Sequence, residues 1–370
     1  MSEKLWYKAA RTVVKAGHLP FPISETLIEL LKQLMTEEQA KFISQVYSRK
    51  PNLNLDQIKQ RIDWDNEAIN NMLNDLMRNG IISGTTSRTT GIKVYRLFGP
   101  FPGMFEYSLM KGGTSDKEKR LVILFDKLFK EMGEGTQKNY DFMVKQFKNF
   151  PPVDRVVPVE EEVEVGHDEV IPGEEVTKLI DDYDDIGLTY CYCRHEKDLL
   201  NDHCKVTDEK HNCILLGKSA KFAIEHDFAK PISQAEAKKI LSEAEDYGLV
   251  HKVFHVGLDT QKDIEGICSC CKCCCGIFQL FYVGVMPFHT ITSYIAKVKE
   301  DDCVGCGTCV EKCPMETIDL EDAIAIINEN KCIGCGVCAH HCPEGAIYLE
   351  RTGPRNVFVP PHRKEYKEIK

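Results

Sequence analysis

The chain has 370 residues, of which 43% are hydrophobic, and a formal net charge of −10 at pH 7. Its 18 cysteines lie between Cys191 and Cys342, and this length and clustering exclude a small secreted scaffold held by disulfides. The most apolar stretch, residues 277–288, is too short to cross a bilayer, and residues 1–17 contain no continuous apolar segment, so we expect a cytoplasmic protein with neither a membrane span nor a signal peptide.

Residues 20–110 are predicted to form a small domain of helices that ends in a β-hairpin. Thr36 and Gln39 have the spacing of a capping box at the start of a helix that ends near Tyr47. A second helix over residues 65–79 has one apolar face and is followed by Gly80. With a short helix near residues 55–62 and strands on both sides of a turn near residue 88, this order resembles a winged helix-turn-helix domain.

A winged domain suggests DNA binding, but the charge of its recognition helix opposes that interpretation. The helix carries Asp65, Glu67 and Asp75 against Arg78 alone. Affinity for DNA comes largely from lysine and arginine side chains that neutralise phosphates. We therefore expect this domain to dock a protein or to form an oligomer, and we do not expect a nucleic-acid partner.

Two connecting segments follow the N-terminal domain. Residues 111–150 are predicted to be a helical connector, because leucine and phenylalanine recur at helical spacing between residues 121 and 129. Residues 151–186 contain 13 acidic side chains between Asp154 and Asp185 and four prolines, which predicts an acidic linker. An alternative is that this segment docks a basic partner and increases the association rate.

Residues 187–296 are predicted to form a cysteine-rich helical domain. A helix that begins at Ser233 with a capping box and ends before Gly248 separates two groups of cysteines, and it would bring them together. If residues 268–275 are extended, alternation places Cys268, Cys270 and Cys274 on one side and Cys271, Cys273 and Cys275 on the other. The ten candidate metal ligands are Cys191, Cys193, Cys204, Cys213, Cys268, Cys270, Cys271, Cys273, Cys274 and Cys275.

Residues 297–350 contain a duplicated cysteine motif. The pattern Cys-x2-Cys-x2-Cys-x3-Cys-Pro begins at Cys303 and recurs 29 residues later at Cys332, with two glycines at matching positions in each copy. Such duplication predicts two similar halves that share a core. Zinc also binds CxxC pairs, but it needs neither eight cysteines nor two matched sets.

The motif resembles that of bacterial-type ferredoxins with two [4Fe–4S] clusters. In that family the fourth cysteine of each motif binds the cluster of the other motif. The resemblance therefore implies a first cluster held by Cys303, Cys306, Cys309 and Cys342. It implies a second cluster held by Cys332, Cys335, Cys338 and Cys313.

The middle region resembles a group of microbial [4Fe–4S] dicluster proteins between Tyr190 and Met315. The shared features are the Cys-x-Cys-Arg element at Cys191, the helix that ends near Gly248, and the cysteine run from Cys268 to Cys275. Ten thiols are two more than two cubanes require, so we expect the middle cysteines to hold one or two further [4Fe–4S] clusters. A zinc site is an alternative, given His195, His203 and His211 nearby. The Cys-Cys-Gly motif of heterodisulfide reductases matches only residues 274–276, and its activity is not transferred.

Taken as a whole, the sequence predicts an α+β multi-domain protein that transfers electrons. Neither a dinucleotide-binding GxGxxG fingerprint nor a P-loop is present, so we expect no flavin, nicotinamide or ATP site. We expect a subunit or partner of an anaerobic oxidoreductase rather than a stand-alone catalyst, with residues 351–370 as a basic extended tail that could clasp a partner. The alternatives are a redox sensor that acts through the winged domain and a reductase that uses the middle cysteines.

Overall fold

The computed structural model describes residues 2–17, 19–87, 90–152, 154–163, 175–255 and 264–363. The chain divides into two compact units. The first comprises residues up to Glu134 together with Thr189–His203 and Lys218–Lys230. The second comprises Gly135–Leu188, Cys204–Gly217 and the chain from Pro231 onward.

The first unit is mainly helical. Its helices are α1 (Ser2–Ala16), α2 (Glu25–Leu34), α3 (Glu37–Val46), α4 (Leu55–Lys59), α5 (Asn66–Arg78), α6 (Met104–Leu109), α7 (Asp116–Lys138, which extends into the second unit), α10 (Tyr192–Leu199) and most of α11 (Gly217–Glu225). Its strands are β1 (Asn52–Asn54), β2 (Ile82–Thr86) and β3 (Lys93–Leu97). The strands form an antiparallel sheet in the order β1-β3-β2.

Local sequence signals explain where the N-terminal helices begin. Thr36 accepts a hydrogen bond from the Gln39 N–H at 3.2 Å, and the Gln39 side chain accepts one from the Thr36 N–H at 2.9 Å, so the predicted capping box opens α3. Asp65 caps α5, and Gly80 follows that helix at a φ of 67°. The helix over residues 65–79 and the hairpin strands are thus confirmed within a residue or two.

The second unit combines helices with a large sheet. Its helices are α8 (Tyr140–Phe147), α9 (Val176–Asp181), α12 (Gln234–Asp246), α13 (Gly276–Tyr282), α14 (Thr308–Lys312) and α15 (Val337–His340). Its strands are β4 (Asp154–Val157), β5 (Ile186–Thr189), β6 (Cys213–Leu216), β7 (Lys230–Pro231), β8 (Val250–His255), β9 (Ile264–Cys270), β10 (Phe288–Val298), β11 (Ile318–Glu321), β12 (Ile324–Ile327) and β13 (Ile347–Val359).

Eight of these strands form one sheet in the order β13-β10-β4-β8-β9-β6-β5-β7. Neighbouring strands are antiparallel for β13–β10, β4–β8, β8–β9 and β9–β6, and β10–β4 is parallel. Strands β11 and β12 form a separate hairpin. The sheet joins the cysteine-rich middle region to the duplicated motif, because β8 and β9 come from the former whereas β13 follows the latter.

The sheet differs from the expectation of a helical middle domain. Strands β6, β8 and β9 lack a simple alternation of apolar and polar residues, since cysteine, lysine and histidine occupy buried positions such as Lys252 and His251. An alternation of apolar and polar residues identifies a strand only when one face of that strand is exposed to solvent. Because these strands bury polar and thiol side chains, their sequences lack the alternation by which a strand is predicted.

Two segments expected to be extended connectors are partly packed. The predicted acidic linker contributes β4, whose Asp154 is fully buried, as well as α9 and the first residue of β5. Residues 153 and 164–174 of that segment lie outside the described residues. The predicted tail continues β13 as far as Val359 and pairs with β10, and residues 364–370 are outside the described part. In the part of the chain that the structure describes, no helix is long and apolar enough to cross a membrane.

Candidate metal centres

The duplicated motif folds as two similar halves. Each half carries a short helix after its second glycine, α14 after Gly307 and α15 after Gly336. The four motif glycines adopt positive φ, 66° and 81° at Gly305 and Gly307 and 61° and 78° at Gly334 and Gly336. This left-handed backbone favours glycine and turns the loop so that its cysteines face inward. The sequence repeat is therefore a repeat of backbone conformation.

The first cavity of the motif is a pocket of about 330 Å³, counting the space open to solvent at its mouth. It is lined by the first three cysteines of the first copy and by Cys342, the last cysteine of the second copy. Leu320, Ala325 and Ile347 add apolar walls. The structure thus brings together the four cysteines predicted for the first cluster.

The second cavity is a pocket of about 340 Å³ by the same measure, which counts space open to solvent. It is lined by the first three cysteines of the second copy and by Cys313 from the first. All four of these cysteines are buried. Both cavities therefore combine three cysteines from one half with one from the other, which is the exchange that the ferredoxin-like spacing predicts.

The two cavities differ in their access to solvent. Cys306 in the first set is exposed, and Cys303 and Cys342 are partly exposed. Hydrogen bonding from Thr308 holds the pKa of Cys306 below its usual value, whereas burial raises the pKa of Cys335 and Cys338 in the second set. One set therefore meets solvent and the other is enclosed in the core.

Backbone N–H groups point at a thiol of the enclosed set. The N–H groups of Ala296 and Gly334 lie 3.5 and 3.4 Å from Cys332 Sγ. The Arg355 guanidinium donates to the Cys332 carbonyl, and its charge acts against the effect of burial on that thiol. Donors and a cation around sulfur stabilise a negatively charged metal–thiolate group.

The cysteine run at 268–275 is extended only as far as Cys270, where β9 ends. Residues 272–274 form a turn that the Cys275 N–H closes by donating to the Cys271 carbonyl at 3.0 Å. The assumption that the whole run is extended was therefore wrong, and the grouping by alternation fails with it. The turn separates the run into two groups of thiols.

The first group consists of Cys204, Cys271, Cys273 and Cys274. Their four Sγ atoms all lie within 4.8 Å of one another. Cys204 Sγ is 3.6 Å from Cys271 Sγ and 3.7 Å from Cys273 Sγ, and Cys273 Sγ is 3.6 and 3.7 Å from those of Cys271 and Cys274. Among the described residues, this is the only set of three or more ligand-type side chains so close together.

The second group lies on one face of the large sheet. Cys268 and Cys270 are two residues apart on β9 and share a face, and Cys213 of β6 stands opposite Cys268 in the strand register. The thiols of Cys268 and Cys275 hydrogen-bond with Cys270, and this together with burial raises the pKa of Cys270. Four cysteines of the second unit therefore converge at the end of β9.

A buried cation accompanies the second group. Lys252 of β8 stands opposite Cys268 in the register. Its Nζ lies 2.7 Å from Asp154 Oδ2, and both side chains are fully buried. Burial alone would lower the pKa of Lys252, but the charges of Asp154, Cys275 and Cys270 outweigh it and raise that pKa. Sequence reasoning missed this pair, because it took Asp154 for part of a solvated linker.

Cys191 and Cys193 belong to the first unit, where Cys191 precedes α10 and Cys193 lies within it. Both are buried, and the neighbouring Arg194 is 1% exposed. His195 Nε2 lies 2.7 Å from the Gly113 carbonyl oxygen, His203 Nδ1 lies 2.8 Å from Asp198 Oδ1, and His211 Nδ1 lies 3.6 Å from Glu209 Oε1. These contacts account for one ring nitrogen of each histidine that the zinc alternative named.

Comparison with known proteins agrees with the duplicated motif. Residues 302–347 match the family model of the 4Fe-4S dicluster domain. No curated protein and no solved structure matches the chain. The match implies [4Fe–4S] clusters in this segment, and with the cysteine-rich site it supports an iron–sulfur electron-transfer role.

Proposed function

We propose that the protein relays single electrons as a subunit or partner of an oxidoreductase. The observation that carries this proposal is the pair of cavities, each lined by four cysteines drawn from both halves of the motif. A [4Fe–4S] cluster supplies one-electron redox chemistry when it is bound by such a set. The proposed ligands are Cys303, Cys306, Cys309 and Cys342 for one cluster and Cys313, Cys332, Cys335 and Cys338 for the other.

The chain contributes different environments to the two sets. Around the enclosed set, N–H groups and Arg355 offset negative charge, while the core excludes water. Around the other set, Cys306 gives a route to solvent. Because burial and hydrogen bonding to sulfur both tune reduction potential, we expect the two sets to differ in potential.

A packed path connects the middle cysteines to the motif. Cys270 and Cys275 belong to the same hydrophobic core cluster as Cys313 and Cys332. Helix α13 begins immediately after Cys275, and Tyr282 at its end donates to the Pro314 carbonyl at 2.7 Å. We propose that Cys213, Cys268, Cys270 and Cys275 hold a further cluster at the inner end of this path.

The exposed cavity has the features of a docking site for a redox partner. Val304 and Leu320, which line it, are 61% and 42% exposed. Glu344 also lines the cavity, and its charge acts on Cys306. The segment 300–322 carries eight acidic residues against Lys312. Apolar side chains within acidic surroundings favour a partner with a basic rim.

The N-terminal part of the first unit supports a separate proposal. Its order, with β1 before α4 and α5 and the β2–β3 hairpin after them, supports the winged-helix interpretation. The exposed face of α5 carries Glu67 and Asp75 against Arg78, which favours protein docking over DNA binding. A redox sensor remains the alternative function, and tight, salt-dependent binding to random duplex DNA at low salt would support it.

Iron analysis and EPR of anaerobically purified full-length protein test the electron-transfer proposal. We expect at least about 8 iron and 8 sulfide per chain, and reduced-cluster signals after dithionite treatment. After removal of dithionite, stoichiometric reoxidation by a two-electron dye such as thionine should return the protein to its EPR-silent state. A colourless protein without reducible centres would overturn the proposal, and a spectrum that changes with a small-molecule substrate would favour the reductase alternative.

A further inference from the structure

The four thiols of Cys204, Cys271, Cys273 and Cys274 are arranged differently from those of the duplicated motif. We propose that they bind one divalent metal ion, of the zinc class, in a tetrahedral site, and not an iron–sulfur cluster. This site goes beyond the proposed function, which depends on the other cysteine sets. It also divides the ten middle cysteines between two kinds of centre.

The distances between the sulfur atoms support a single ion. Zinc–thiolate bonds are about 2.3 Å long, so the corners of a regular tetrahedron of sulfur atoms lie about 3.8 Å apart. Four of the six sulfur–sulfur distances in the group are 3.6 or 3.7 Å, and all six are within 4.8 Å. An ion at the centre of these atoms would therefore need little movement of the chain.

The duplicated motif provides an internal comparison. Its eight cysteines line two cavities, four cysteines to each. Within the described residues, no three thiols of the motif approach one another as closely as those of the Cys204 group. A cubane has four iron corners, each bound by one thiolate, and it holds its ligands apart. The Cys204 group would have to open before it could surround a cubane.

Two segments of the chain position the four thiols of this group. Three of the thiols lie on the turn between β9 and α13, where Gln279 Nε2 donates to the Lys272 carbonyl at 2.7 Å. The fourth comes from the loop after α10, and the adjacent Lys205 N–H lies 3.5 Å from Cys273 Sγ. Amide donors directed at a ligand sulfur orient it for a metal.

The surroundings fit a structural ion better than a redox centre that exchanges electrons with a partner. Cys271 and Cys274 are buried against Ala244 and Leu249 in a small core cluster, and Cys204 and Cys273 pack on it. Lys272 pairs with Glu316 and lies over the Tyr282 ring at 4.9 Å. A metal ion at this site would thus join the loop that carries Cys204 to the turn at residues 271–275, and Lys272 of that turn contacts Glu316 of the duplicated motif.

Elemental analysis and zinc K-edge X-ray absorption of the anaerobically purified full-length protein test this proposal. We expect about one zinc per chain, with four sulfur neighbours at about 2.3 Å. Zinc with nitrogen or oxygen neighbours, or no divalent metal beyond the iron of clusters, would overturn it. This measurement uses the unmodified protein, so it does not depend on the folding of a variant.

A pair of variants separates this site from the clusters. Cys204→Ser should lose most of the zinc and leave the iron content unchanged, whereas Cys306→Ala should lose about four iron atoms and keep the zinc. Loss of a single iron from Cys204→Ser, with a mononuclear ferric EPR signal in the parent, would overturn the assignment to a zinc-class divalent ion. Loss of about four iron atoms from Cys204→Ser would overturn the proposal while leaving the electron-transfer function intact.

Discussion

Lys252 and Asp154 form an ion pair across neighbouring strands, with Nζ 2.7 Å from Oδ2 and both side chains fully buried. Thr290 donates to Asp154 Oδ1 at 2.6 Å, and the Phe288 ring lies 4.3 Å from the lysine nitrogen. A buried pair of this kind contributes little net stability, because desolvation offsets the attraction. Lys252 stands opposite Cys268 in the strand register. We therefore expect its positive charge to stabilise the thiolates of the second group.

Lys252→Met should destabilise the protein by roughly 3–5 kcal/mol, because Asp154 would stay buried without its cation. We also expect loss of iron held by the middle cysteines, since Lys252 is the positive charge that acts on Cys270 and Cys275. Urea denaturation and iron analysis measure the two effects. Lys239→Met, which breaks the exposed pair with Glu243, is the matched control and should leave both values unchanged.

Adding Asp154→Asn to Lys252→Met should recover much of the lost stability, since it removes the uncompensated charge. The iron content should stay low in the double variant. Full recovery of iron would show that the cation does not serve the thiols.

Gly334→Ala should disrupt the second cavity more than its backbone conformation alone requires. Gly334 has a φ of +61°, and an added Cβ would collide with the Tyr294 carbonyl oxygen and come within 2.6 Å of Thr292 Oγ1. Gly345 has the same φ, but nothing lies within 4 Å of its Cβ position. Gly345→Ala should therefore cost only about 1–2 kcal/mol of left-handed strain.

Iron content and thermal unfolding of the two alanine variants should diverge. Gly334→Ala is expected to lose up to about four iron atoms per chain, and Gly345→Ala to keep all of them. Equal iron contents would mean that the loop around Cys332 can move aside without losing its metal.

The duplicated motif illustrates what could be predicted from the sequence. Its cysteine and glycine spacing determines which loops wrap a site and where the backbone turns left-handed, so local information suffices. The capping box at Thr36 and the Ser233 box that opens α12 follow the same logic, and both are present. Features that depend on only a few neighbouring residues, such as helix caps and glycine turns, are therefore predicted correctly from the sequence.

The grouping of the middle cysteines could not be predicted in the same way. It depends on where β9 stops and the turn begins, and on which strand lies opposite Cys268. The pairing of β6 with β9 joins strands that are far apart in the sequence, so local signals could not place Cys213 opposite Cys268. Lys252 resembles a surface lysine until its pairing with Asp154 is known, because nothing in its immediate sequence marks it as buried.

Cys306→Ala should slow electron transfer to an external acceptor protein without removing the reducible centre of the buried set. Cys306 is exposed, whereas Cys313, Cys335 and Cys338 of the other set are buried. We expect the variant to fold and to retain a reducible buried centre by EPR, but to reduce an external acceptor protein at least about tenfold more slowly. Cys335→Ala, the comparison variant, should lose the buried centre and, because its side chain supports the core, also unfold at lower temperature.

Unchanged transfer rates in Cys306→Ala would place the partner elsewhere on the protein. An exit through the middle cysteines would then be the arrangement to test. Stopped-flow spectroscopy with a basic and an acidic acceptor at several ionic strengths would distinguish the two surfaces.

Glu196→Gln should reduce the pH dependence of stability. Glu196 is 6% exposed, and burial raises its pKa to about 8. Since the unfolded carboxyl ionises near pH 4.3, the unfolded state binds fewer protons than the folded state between that pH and 8. Stability should therefore fall as pH rises through this window, by about 1.4 kcal/mol per pH unit from this group.

Thermal unfolding between pH 6 and 8 checks the prediction. The wild-type midpoint should decrease across this range, and that of Glu196→Gln should decrease less. Glu38→Gln, at an exposed position of α3 in the same unit, should follow the wild type. Parallel curves for all three proteins would show that Glu196 is ionised in the folded state.

Strand β13 pairs with β10 along most of its length, from Ile347 to Val359. Strand β10 supplies the Ala296 amide that reaches Cys332 Sγ, and β13 supplies the Arg355 guanidinium that donates to the Cys332 carbonyl, so the surroundings of Cys332 are complete only when β13 is in place. The ribosome makes β13 after every cysteine of the chain. A chain that ended before Arg355 would therefore carry all eight cysteines of the motif but lack the cation beside Cys332, so we expect such a truncation to weaken the enclosed centre without removing a ligand.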